Sequence, residues 1–113
     1  MPKSAPTVKK RAVRGSRTGR PIMALLDLLG RRWTLRILWE LRERPLTSRA
    51  LRTACDEASP TVLQARLSEL REAGFLDLAA EGGYSLTPSG QELCETFLPL
   101  HRFAEKWQLR RMG

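Results

Sequence analysis

Histidine and cysteine are scarce in this chain, with one histidine and two cysteines among 113 residues. Cys55 and Cys94 stand 39 positions apart, with neither a CxxC pair nor a neighbouring cluster of histidines. That excludes a structural zinc site and thioredoxin-type chemistry, and no metal or other cofactor is expected. A phosphate-cradling glycine loop is missing too, as are carboxylates paired across a cleft, so no catalytic constellation can be assembled and an enzyme is not expected. Nowhere do about 18 apolar residues run together, so no membrane-spanning helix is expected. A secretory signal is excluded because no apolar segment of the needed length follows the N-terminal charges. Free thiols in a reducing, cytoplasmic compartment fit this pattern.

Acidic residues are absent from positions 1–20, where Lys3, Lys9, Lys10, Arg11, Arg14, Arg17 and Arg20 contribute +7 of the formal net charge of +8. The rest of the chain holds 13 basic and 12 acidic side chains and is nearly neutral. The excess charge therefore belongs to an arm. With Pro2, Pro6, Gly15 and Gly19 and no apolar period, residues 1–20 are expected to be disordered on their own. A polyanionic partner suits such a balance. Residues 21–113 are about the size of one domain with one core.

Within that domain the apolar spacing is mostly helical. Ile22, Leu25, Leu26, Leu28 and Leu29 form a broad apolar face, with Pro21 in the first turn and Gly30 at the stop. A second helix is expected over Arg32–Arg44, from Trp33, Ile37, Leu38 and Leu41, ended by Pro45. Thr47 or Ser48 can cap a short third helix carrying Ala50, Leu51 and Ala54, which Asp56 and Glu57 break. Ser59-Pro60 starts a fourth, with Leu63, Leu67 and Leu70 on one face and Gly74 at its end. Phe75 to Leu78 and Tyr84 to Leu86 read as two short strands around the turn that holds Gly82 and Gly83. A last helix, capped by Thr87 or Ser89, carries Leu93, Phe97, Leu100, Phe103, Ala104 and Trp107, and Pro99 is expected to interrupt and kink it.

Two helices joined by a brief polar turn and followed at once by a hairpin make a helix-turn-helix with a wing. The expected fold is mainly α with a small β-hairpin wing, a winged helix-turn-helix flanked by N- and C-terminal dimerisation helices. Pro21, the run Gly30-Arg31-Arg32-Trp33, Ser59-Pro60 with Leu63 and Arg66-Leu67, Glu69-Leu70, Gly74-Phe75-Leu76 and Tyr84-Ser85-Leu86-Thr87 leading into Gly90 and Leu93 are similar to the HxlR-type winged-helix regulators of bacteria, relatives of the MarR regulators. The resemblance spans about Pro21 to Trp107. It implies a bacterial, nucleoid-associated transcription regulator that binds duplex DNA as a homodimer.

This chain departs from the family pattern at several places. Arg20 stands where many members carry a cysteine, so oxidant sensing by that thiol is not expected. Thr47-Ser48 replaces an Arg-Phe pair, Leu78 takes the place of a basic residue in the first wing strand, and Glu81 is the charge nearest the wing tip.

A helix that enters the major groove needs short polar or basic side chains opposite its core face. Ser59, Thr61, Gln64, Ala65 and Ser68 supply them, with Gln64 able to pair with adenine N6 and N7, and Thr61 or Ala65 small enough to meet a thymine methyl. Arg66 and Arg71 are candidates for phosphate at the helix edge. Arg49 and Arg52 lie on the preceding helix, which crosses the backbone in this motif. The alternative is an ordinary solvated helix face. The arm either enters a minor groove or adds nonspecific affinity; the spacing favours the second.

Leu25, Leu28, Leu29, Phe97, Leu100, Phe103 and Trp107 exceed what a small core absorbs and predict a homodimer surface. A two-fold dimer calls for a pseudo-palindromic operator, at which the chain is expected to act as a repressor, and its seam can hold a small-molecule effector. Phe103 and Trp107 are otherwise ordinary core. Cys55 and Cys94 read as small buried hydrophobes rather than sensors. The rival function is a winged-helix protein-interaction module held nonspecifically on nucleic acid by its arm.

Overall fold

The computed structural model describes residues 19–113, so all but the last two residues of the expected arm lie outside the described residues. Five helices and one hairpin follow in the order α1 (Pro21–Leu29), α2 (Thr34–Glu40), α3 (Ser48–Ala54), α4 (Pro60–Glu72), β1 (Leu76–Leu78), β2 (Tyr84–Leu86) and α5 (Pro88–Met112).

Local chemistry fixes the boundaries. Proline occupies the first turn of α1, α4 and α5, where its missing N–H costs nothing. Thr47 caps α3 by accepting from the Ala50 N–H at 3.1 Å, and Ser59 caps α4 by accepting from the Val62 N–H at 3.4 Å. Between those helices Asp56 and Glu57 both take left-handed backbone angles, with φ of +56° and +61°. Short polar side chains reach that region more readily than branched apolar ones. The Arg52 side chain closes the turn by donating from Nε to the Ala58 carbonyl at 3.1 Å.

α2 is shorter than the sequence pattern predicts. Trp33 sits in the left-handed region, with φ of +77°, so the helix begins only at Thr34, after a tight turn in which the Thr34 N–H donates to the Arg31 carbonyl at 3.2 Å. At the other end Pro45 disfavours helical geometry in the residue before it, and the chain winds down from Leu41 instead of continuing to Arg44. The expected interruption at Pro99 does not occur either: α5 runs as one helix of 25 residues with Pro99 inside it.

Apolar positions from α2, α3, α4, β1 and α5 and their ends meet in one core: Ile37, Leu38 and Leu41, then Leu51 and Cys55, then Leu63, Leu67 and Leu70, closed by Leu76, Leu93 and Cys94, with Tyr84 and Leu86 of β2 packed against it. The hairpin pairs Leu76 with Leu86, Asp77 with Ser85 and Leu78 with Tyr84. A further antiparallel bridge joins Leu46 to Tyr84, through N–H to carbonyl distances of 3.1 and 2.8 Å. The wing is thereby tied to the segment that leads into α3. α5 leaves the body from a crossing of backbones: the Thr87 hydroxyl donates to the Gly74 carbonyl at 2.6 Å and accepts from the Gly90 N–H at 3.0 Å. A Cβ at Gly90 would stand 2.2 Å from the Phe75 carbonyl oxygen, a backbone atom that cannot swing aside. Gly90→Ala should therefore destabilise the fold by about 2 kcal/mol, read as a lowered urea midpoint with an unchanged slope.

Candidate DNA-reading surface

α4 buries Leu63, Leu67 and Leu70. At about 100° per residue the face opposite those leucines holds Thr61, Gln64, Ala65 and Ser68. Thr61, Gln64 and Ser68 are exposed and Ala65 is half-buried, while Ser59, at the start of the helix, is also exposed. Over its first three turns this face carries amide and hydroxyl groups with no charge, the composition that hydrogen-bonds base edges, and exposed Glu72 ends it in the last turn.

Cations flank it on the α3 side. Arg49 is exposed. Together with Ser48, Arg52, Thr53, Glu57, Pro60, Leu63 and Gln64 it lines a depression of about 220 Å³ between α3 and α4. The fold therefore brings Arg49, Arg52 and Gln64 together. Arg52 also has a structural task, since it holds the turn through Ala58 and lies 3.8 Å from the Glu57 carboxylate. Arg66 does not join the polar face. Its guanidinium lies 3.2 Å from the Glu69 carboxylate, and the side chain is only 18% exposed, so it points along the flank of α4. Arg71, in the last turn, is exposed. On the wing, Asp77 and Glu81 are exposed, and their charge repels a phosphate backbone.

Behind this surface lies a second arrangement, in which the Trp39 indole is covered on several sides. The Arg42 guanidinium stands 3.6 Å from the ring centroid, His101 stacks at 4.3 Å and Phe97 tilts against it at 6.3 Å. These contacts seat the middle of α5 on α2 and, with Leu35, Leu100 and Ala104, outline a groove of about 520 Å³.

Beyond this clamp every residue from Pro99 to Gly113 is exposed, among them Leu100, Phe103, Trp107, Leu109 and Met112. Phe103 and Trp107, at 50% and 48% exposure, are thus not ordinary core. Phe97, Leu25, Leu28 and Leu29 behave differently from the expected stripe, because all four are partly buried against the protein's own core. The outward residues of α1 are Ile22, Met23 and Leu26. On a helical wheel of α1 inward Leu29 and outward Ile22 lie only about 20° apart, so the run of apolar residues conceals where one face ends and the other begins.

Residues 28–112 match the HxlR-like helix-turn-helix family. The chain belongs to that family. Its members are transcription regulators, and the hairpin and helices described above are those of a winged-helix, MarR-like regulator. An HTH-type transcriptional regulator of Synechocystis, sll1512, is 27% identical over 93 residues, covering 77% of this chain and 69% of that protein. The quinone-bound crystal structure of YodB from B. subtilis is 26% identical, with a TM-score of 0.70 over 77% of this chain and 98% of YodB. A possible HxlR-family factor from Thermoplasma volcanium has the same fold, at 22% identity and a TM-score of 0.70 over 79% and 85% of the two chains. Among the described residues of this HxlR-like chain, no helix is long and apolar enough to cross a membrane.

Both thiols of this family member are buried, and burial raises the pKa of each above the ordinary thiol range. Nearby Arg36 pulls the Cys55 value back in part, and Arg42 does the same for Cys94. The Cys94 Sγ also lies 3.5 Å from the Leu38 carbonyl. A raised folded value means that the unfolded chain releases these protons first. The thiols' contribution to stability is therefore intact below the ordinary thiol pKa of about 8.5 and is lost as pH rises through the folded values. Two measurements check this: a disulfide reagent at pH 7 should label neither cysteine until denaturant is added, and the urea midpoint should fall above about pH 9.

Proposed function

We propose that this chain is a homodimeric, sequence-specific DNA-binding regulator, a repressor, that recognises a pseudo-palindromic operator through α4. The observation that carries this reading is the uncharged polar face Thr61–Gln64–Ser68, set opposite three buried leucines and flanked by Arg49 and Arg52 on one depression. Gln64 reads a base, Thr61 and Ala65 lie close to the groove floor, and Ser59 and Ser68 contact the backbone or base edges at either end. Arg49 neutralises phosphate; Arg52 does so while it holds the turn. The acidic wing adds no phosphate contact, and the basic residues of positions 1–20 supply nonspecific affinity.

Dimerisation is supported by the outward apolar face of α1, Ile22, Met23 and Leu26, and by Leu100, Phe103 and Trp107 on α5. A two-fold axis through these helices puts the recognition helices about one DNA turn, roughly 34 Å, apart. A small-molecule effector would sit in the groove beside Trp39 and Phe97, against the helix that leads to the seam. The quinone-bound form of YodB makes quinone-like molecules the first ligands to try.

Selection from a random duplex pool tests the reading directly. The full chain should enrich a consensus with two inverted half-sites, whereas an unenriched pool overturns the proposal. On the enriched duplex, Gln64→Ala should lose about 1–3 kcal/mol of discrimination at one position of each half-site. Arg49→Ala should instead weaken binding to all duplexes and lower the salt slope by about 1. Replacing the basic residues of positions 1–20 with glutamine should reduce affinity and keep the sequence preference; loss of all binding would favour the protein-interaction module. Trp107→Glu should shift the chain to monomer in sedimentation equilibrium and lower its unfolding midpoint by no more than dimerisation contributed, since Trp107 lies outside the protein's own core.

A further inference from the structure

The turn between α1 and α2 reaches the recognition helix through one side chain. Arg31 donates from Nη2 to the Asp27 carboxylate on α1 at 3.1 Å, and from Nη1 to the Glu69 carboxylate on α4 at 3.4 Å. Glu69 also takes the Arg66 guanidinium at 3.2 Å. All four side chains are withdrawn from solvent, at 23% exposure for Asp27, 27% for Arg31, 29% for Glu69 and 18% for Arg66. The two cations and two anions balance. Arg31 Nε, Arg66 Nε and Glu69 Oε1 are buried without an aligned hydrogen bond, so the cluster is held by charge and not by an optimised bonding pattern. On α4, Glu69 lies about 80° around the helix from Thr61, between the leucine face and the reading face.

We infer that Glu69 is a positioning residue for DNA recognition: through Arg31 it fixes the rotation of α4 relative to α1, so that dimer contacts made by α1 set how the reading face meets the groove. This rests on the DNA-reading proposal above. The core leucines fix which side of α4 faces the body, but apolar contacts are nondirectional and tolerate rotations of a few degrees. A carboxylate shared by guanidiniums from two elements restricts that rotation. A helix turned away from its setting would still attract phosphate and would lose base contacts.

Charge and positioning predict opposite signs, which makes the pair separable. Glu69→Gln and Asp27→Asn each raise the net charge by one, so electrostatics alone would strengthen binding to any duplex. Positioning predicts instead that Glu69→Gln weakens binding to the pool-enriched duplex about tenfold while a scrambled duplex binds as well or better. Asp27→Asn, which cuts only the α1 end of the bridge, should cause a smaller loss of the same sign. Anisotropy titrations with both duplexes give the ratio, and sedimentation equilibrium and thermal melts should show wild-type dimerisation and folding. If Glu69→Gln does not fold, Asp27→Asn decides the matter alone, because that contact is an i,i+4 pair at the edge of α1. Variants that discriminate between the duplexes as well as the wild type overturn the positioning role and leave DNA reading intact. A wild-type chain that enriches no consensus sinks both.

Discussion

Everything that α4 can do follows from the three leucines on one side of it. Leu63, Leu67 and Leu70 are at most 2% exposed, and burying each stabilises the fold by about 2 kcal/mol. With its apolar stripe spent on the core, α4 must turn its remaining side chains outward, and over its first three turns the centre of that outward side is uncharged. The capping hydroxyl of Ser59 and the left-handed pair Asp56-Glu57 set where α4 starts. The Leu46 to Tyr84 bridge holds the wing to the loop before α3. Caps, turn and wing are all arranged around a helix whose inward face is fixed by packing and whose outward face is left for contact.

Much of this was legible in the sequence because it depends on local chemistry. Thr47, Ser59-Pro60 and Thr87 announce helix starts whatever surrounds them, and the spacing of Leu63, Leu67 and Leu70 marks the inward side of α4. The hairpin was legible from Gly82-Gly83 between short apolar runs. What sequence left obscure was long-range. Trp33 in a left-handed turn has no propensity signal and shortens α2 at its start. Leu46 pairs with Tyr84 across 38 positions, and its only hint is an apolar residue placed between Pro45 and a capping threonine. Arg66 reads as an outward cation until Glu69, three positions on, is seen to capture it. On α1, apolar residues at nearly every position hide which side faces home and which faces away.

The division between home and away is sharper on α5. Leu93, Cys94 and Phe97 pack on the body, His101 stacks on Trp39, and every residue from Pro99 onward is exposed. Proline within a helix normally costs about 3 kcal/mol through a lost hydrogen bond and a clash with the preceding turn. Here the helix carries on past it, and the orphaned Glu95 carbonyl faces an exposed stretch where water can replace the missing N–H. An exposed helix bearing Leu100, Phe103, Trp107, Leu109 and Met112 is costly to leave in water.

α5 is one continuous helix, about 37 Å long at 1.5 Å per residue, held near its middle by the stack on Trp39, which is the geometry of a lever. A rotation of 5° about that clamp would sweep its free end by about 2 Å, from the length that 1.5 Å per residue gives the distal half. Small rearrangements beside one indole are thus magnified at a distance. The length of one helix sets the gearing between a local disturbance and the displacement of its far end.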